Sequence, residues 1–87
     1  MNKVQTDYET MMNEVKPTIY LTYTVDETTT NPDLEMYVEG SDNRYVVGKY
    51  TDLNTYADEL DSLLTAKGYS CCEWQSGTGE YGFIYEF

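Results

Sequence analysis

Apolar positions along the chain change period several times, and each change marks an element. Val4, Tyr8, Met11, Met12 and Val15 fall at i, i+4, i+7, i+8 and i+11, one stripe of an amphipathic helix, while Asp7, Glu9 and Glu14 turn to water. Asn2 with Gln5, or Thr6 with Glu9, supplies a capping box, and Pro17 ends the helix by pushing Lys16 out of the α region. Over residues 18–25 the period falls to two. Ile19, Leu21, Tyr23 and Val25 share one face and Tyr20, Thr22 and Thr24 the other, so a strand is expected.

A polar loop over 26–33 leads to a second strand, with Leu34, Met36 and Val38 inward and Glu35, Tyr37 and Glu39 outward. Turn residues at 40–43 and a returning strand over 44–50 complete a hairpin. Leu53, Tyr56, Ala57, Leu60, Leu63 and Leu64 then repeat at helical spacing behind Thr51 or Asp52 as N-cap, with Lys67 and Gly68 as C-terminal signals. Residues 69–75 and 81–87 read as two last strands around a Gly-rich turn, with Tyr81, Phe83, Tyr85 and Phe87 on one face. The order α-β-β-β-α-β-β predicts an α+β fold: a mostly antiparallel five-stranded sheet with two helices on its apolar face.

At 87 residues the chain 1–87 reads as a single domain with no room for a deep cavity. Sixteen acids against five Lys plus Arg give a net charge of −11, and there is no histidine. That field repels nucleic acid and anionic lipid and draws in basic protein surfaces. Chemistry built on imidazole is excluded. Residues 1–7 lack the apolar stretch of a signal peptide and no run is long enough to cross a bilayer, so a cytoplasmic protein is expected. The vicinal Cys71 and Cys72 point to opposite faces of a strand, too close at Cα for an ordinary disulfide, and read as reduced thiols with one of the two in the core.

Residues 77–82 spell G-x-G-x-x-G, but a strand rather than a helix follows, so the phosphate-binding geometry is missing. The acidic loop from Asp26 lacks the central Gly and final Glu of an EF-hand. No nucleophile–base pair is present, so no enzyme, cofactor or metal is expected. What remains is the distribution of acids. Glu35 and Glu39 flank Tyr37 on the outward face of the second strand, and Asp42 continues the line. Asp52, Asp58, Glu59 and Asp61 cover the second helix. Alternate strand residues repeat every ~6.6 Å, a pitch of the order of successive phosphates. Ten tyrosines against two phenylalanines, with Tyr20, Tyr37 and Tyr50 as outward candidates, suit an interface better than a pure core.

In these features the chain resembles small acidic inhibitors encoded by bacteriophages and mobile elements, among them phage inhibitors of uracil-DNA glycosylase and, most closely, type II anti-CRISPR proteins. The likeness runs over residues 2–68 and is carried by the turn and strand at 40–47 and the acidic helix from Thr51. Residues 69–87 depart from it, reading as strands where that family has further helix. The resemblance implies a non-catalytic DNA mimic acting in the bacterial cytoplasm as a monomer or small homo-oligomer. Its partner would be the basic groove of a CRISPR effector, with no direct binding to nucleic acid or membrane. Glu35, Glu39, Asp42, Asp58, Glu59 and Asp61 would then meet Lys and Arg. The alternative readings are a protein-interaction or immunity-type module using its Tyr-rich sheet face or edge, and a homodimeric phage structural protein.

Overall fold

The computed structural model describes residues 3–11 and 17–87. Its elements are α1 (Lys3–Met11), β1 (Ile19–Thr24), β2 (Asp33–Val38), β3 (Tyr45–Lys49), a 3₁₀ turn (Tyr50–Asp52), α2 (Leu53–Ala66), β4 (Ser70–Gln75) and β5 (Glu80–Glu86). Every strand pairing is antiparallel, and the sheet order is β3-β2-β1-β5-β4. The expected α+β architecture and element order are therefore present. Met12, Val15, the Asn2 cap and the stop at Lys16 lie outside the described residues. Thr6 sits inside α1 rather than at its start, so it is not the N-cap.

Period-two patterning is realised in the core. Ile19, Leu21, Leu34 and Met36 point to one face of the sheet and are fully buried, together with Tyr85 of β5. Val4 and Met11 of α1 and Tyr56, Leu60 and Leu64 of α2 close over that same face, which places both helices on one side. Burial of this kind is worth ~25 cal/mol per Å² of apolar surface and supplies most of the driving force.

Local chemistry fixes the ends of α2. Its C-terminus is a Schellman motif: Tyr69 N–H reaches Leu64 C=O at 2.9 Å and Gly68 N–H reaches Thr65 C=O at 3.0 Å. Gly68 holds the left-handed φ of +97° that this closure requires. At the N-terminus Asp52 occupies the N-cap, but its carboxylate accepts the Lys49 N–H at 3.2 Å and so closes the preceding 3₁₀ turn.

Four expectations are corrected. Neither Cys71 nor Cys72 lies in the core: both are exposed on β4, an edge strand with a neighbour on one side only. Val25 follows the end of β1 and is 53% exposed, since its N–H pairs with Gly79 C=O beyond the covered part of the sheet. The third strand stops at Lys49, where the Asp52 contact turns Tyr50 into the 3₁₀ segment. Asp7 does not simply face water: it pairs with Lys3 at 2.8 Å and accepts the Tyr56 hydroxyl at 2.8 Å, anchoring α1 to α2.

Candidate protein-binding face

Helices cover one face of the sheet and leave the other open. Parity assigns Asp33, Glu35 and Tyr37 of β2, Tyr20 and Thr22 of β1, Glu80, Gly82, Ile84 and Glu86 of β5, and Cys72 and Trp74 of β4 to this outer face. Its centre is aromatic. Tyr20 and Tyr37 are direct cross-strand partners, with rings stacked at 4.8 Å and 9° between planes. Trp74 meets Tyr20 edge-on at 5.2 Å.

That last contact spans two strands, because β5 lies between β4 and β1. Trp74 pairs with Gly82, and the absent side chain there leaves the indole free to cross. Gly82 is also demanded by the backbone: at its φ of +152° a Cβ would lie 2.0 Å from the Leu21 carbonyl oxygen. On this same face Thr22 has no exposed surface, and its hydroxyl has no hydrogen-bond partner among the described residues.

Arg44 lies across this layer. Its guanidinium stands 4.1 Å from the Tyr37 ring centroid, bonds the Glu80 carboxylate and approaches Glu35 at 3.9 Å. It thus ties the β2–β3 connection to β5 across β1. At the sheet end Lys49 pairs with Asp33 at 2.6 Å. Counting Asp33, Glu35, Glu39, Glu80 and Glu86 against Arg44 and Lys49 leaves the face three charges negative. Burial raises the Tyr20 hydroxyl, with Glu39 and Glu86 raising it further. Burial likewise raises Tyr37, against an opposing pull from Arg44. Both phenols therefore stay protonated, flat apolar bodies with a polar tip.

The nine residues expected to bind a partner divide into two groups. Glu35, Tyr37 and Glu39 lie together on β2 and its end, with Asp42 in the exposed turn beyond. Asp52, Asp58, Glu59 and Asp61 stand on the helix side, with the sheet between them and the first group. Tyr50, expected outward on a strand, instead leans on Tyr23 at 4.7 Å as part of a Tyr23–Tyr50–Tyr81 cluster on the helix side. Asp58, Glu59 and Asp61 make no ion pair among the described residues. Glu35, by contrast, already has Arg44.

Trp74, Arg44, Glu80 and Glu86 belong to the outer face yet escaped sequence reasoning. Trp74 and Glu86 carried a usable signal, the alternation of β4 and β5. Arg44 carried none, because its partners depend on β5 inserting beside β1. Among the described residues no three His, Cys, Asp or Glu side chains converge on a metal position, and no helix is long and apolar enough to cross a membrane. No family model matches the chain, and neither a curated protein nor a solved structure is significantly similar to it.

Proposed function

We propose that this chain is a non-catalytic inhibitor that seats its outer sheet face in the basic nucleic-acid groove of a partner protein. A CRISPR effector in a bacterial cytoplasm is the target that the resemblance to anti-CRISPR proteins favours. The observation that carries the reading is the uncovered Tyr20–Tyr37–Trp74 layer with its acidic rim. Grooves for single strands combine a cationic track with aromatic stacking platforms. Flat rings flanked by carboxylates offer the complement of both, without the counterion atmosphere that a polynucleotide carries. Tyr, Trp and Arg are also the residues that dominate binding energy at protein interfaces.

The carboxylates of α2 lie outside this interface. A rigid partner that covers one face of the sheet does not reach the other, so Asp58, Glu59 and Asp61 act through the long-range field, raising the rate of encounter. One observation favours a second reading, the interaction module with an apolar interface: Arg44 already engages two of the acids on the face.

Capture from lysate of the host cell separates the two. A Tyr37→Ser/Trp74→Ser double variant should lose the partner, whereas Asp58→Asn/Glu59→Gln/Asp61→Asn should retain it with slower association. Retention by the first variant and loss by the second would move the interface to α2. Binding that is insensitive to salt and to added DNA would favour the apolar module.

A further inference from the structure

The two edges of the sheet are built differently. On β3 the pairing with β2 shifts between Leu34 and Glu35, so that Val47 is an extra residue turned into the core. Lys3 Nζ then occupies the Val47 carbonyl at 2.7 Å, and Lys49 adds a charge. Bulges and lysines are the usual means of blocking strand addition. β4 has neither. Ser70–Gln75 pairs with β5 in unbroken register from Ser70–Glu86 to Gln75–Tyr81, and it contains no proline, lysine or arginine.

Hydrogen-bond alternation identifies the groups this edge presents. Ser76 N–H bonds Glu80 C=O, so residues 70, 72, 74 and 76 direct their backbone groups to β5. Cys71, Glu73 and Gln75 therefore point their N–H and C=O groups away from the sheet. Their side chains lie on the helix side, where Asp61 of α2 stands beside the Cys71 thiol. On the outer face the same strand offers Cys72 and Trp74 next to Ile84.

We infer that the β4 edge accepts an extended basic segment of a partner protein as a sixth strand. Main-chain bonds to Cys71, Glu73 and Gln75 supply affinity, and alternate side chains supply specificity. The pattern follows from parity: Lys or Arg at every second position meets Asp61 and Glu73, and the intervening apolar residues meet Cys72 and Trp74. A second copy of this chain fits less well. It would set an edge that carries Glu73, with Asp61 beside it, against the same acidic edge of a second molecule, each molecule carrying −11. The inference rests on the edge alone and holds whether or not the partner is a nucleic-acid-binding protein.

The test uses the full chain and a short synthetic peptide of alternating lysine and valine, with a version N-methylated at alternate residues as control. Binding of the first peptide should slow amide exchange at Cys71, Glu73 and Gln75 by about tenfold or more, and the methylated peptide should do nothing. Gln75→Pro removes an outward N–H without touching the β5 ladder and should abolish the protection while leaving the far-UV spectrum unchanged. Glu73→Lys should weaken binding by about tenfold, the scale of one charge-assisted contact. Equal binding of the methylated peptide would overturn strand addition in favour of mere charge attraction. A dimeric mass with these amides already protected in the free protein would give the edge to a second copy.

Discussion

Replacing Gly82 with alanine tests the construction of the outer face. The new Cβ would sit 2.0 Å from the Leu21 carbonyl oxygen and 2.9 Å from Thr22 Cα, both backbone atoms of the neighbouring strand. Neither moves as a side chain would. The Val25 N–H to Gly79 C=O bond sets the alternation between β1 and β5, so Leu21 and Phe83 exchange hydrogen bonds. To clear the methyl, β1 must retreat by about 1 Å, toward the closest approach that van der Waals contact allows. That retreat weakens the Leu21–Phe83 bonds, and a buried unpaired backbone group costs about 1–3 kcal/mol. Holding alanine at positive φ adds about 1–3 kcal/mol. The sum, about 2–6 kcal/mol, is a large part of the roughly 4–13 kcal/mol expected for a chain of this length.

Urea denaturation followed by far-UV circular dichroism and by the emission of Trp74, the sole tryptophan, would measure it. The variant should unfold at markedly lower denaturant, and Trp74 should report a more solvated indole even in the folded state. A loss below about 1 kcal/mol with unchanged emission would refute both the close approach of β1 to Gly82 and the crossing of β5 by Trp74.

Thr22→Val replaces an unpartnered, fully buried hydroxyl with a methyl of the same shape, and should raise stability by about 1 kcal/mol in the same denaturation assay. Arg44→Gln removes two ion pairs and a ring contact that are all partly solvated, so it should cost about 1 kcal/mol, less at high salt, measured by urea denaturation at two ionic strengths. Seven tyrosines (Tyr8, Tyr20, Tyr23, Tyr37, Tyr56, Tyr69 and Tyr85) have hydroxyls held above their ordinary range, burial being the first cause in each. A raised folded value favours the protonated form, so the stabilisation is complete below about pH 10 and falls as pH rises beyond it. Absorbance of phenolate and loss of helical signal should therefore rise together in an alkaline titration.

Elements whose hydrogen bonds are local were legible from the residues alone. The Leu60–Leu64 stripe with Gly68 behind it gave α2 and its Schellman end, and the Leu34–Met36 alternation gave β2 with the correct face inward. What escaped depends on strand order. β5 enters between β1 and β4, far apart in sequence, and only that insertion brings Glu80 to Arg44 and Trp74 to Tyr20. On the helix side, Asp7 looked solvent-facing because nothing in the pattern of α1 shows the Tyr56 hydroxyl, 49 residues away. Tyr50 was misplaced by a single side-chain bond, Asp52 to the Lys49 amide, which ends β3 early. The acids read as one interface separate because alternation fixes a face within a strand, whereas the position of α2 relative to that face is a tertiary fact.

Occupation of a cationic polynucleotide cleft is tested most directly by equilibrium competition. The captured partner is titrated with this protein while labelled nucleic acid is already bound, across a range of salt. Displacement at one-to-one stoichiometry is expected, with an affinity for the protein that falls linearly with the logarithm of salt and is abolished by Tyr37→Ser/Trp74→Ser. A stable ternary complex, in which the partner holds protein and nucleic acid together, would contradict it.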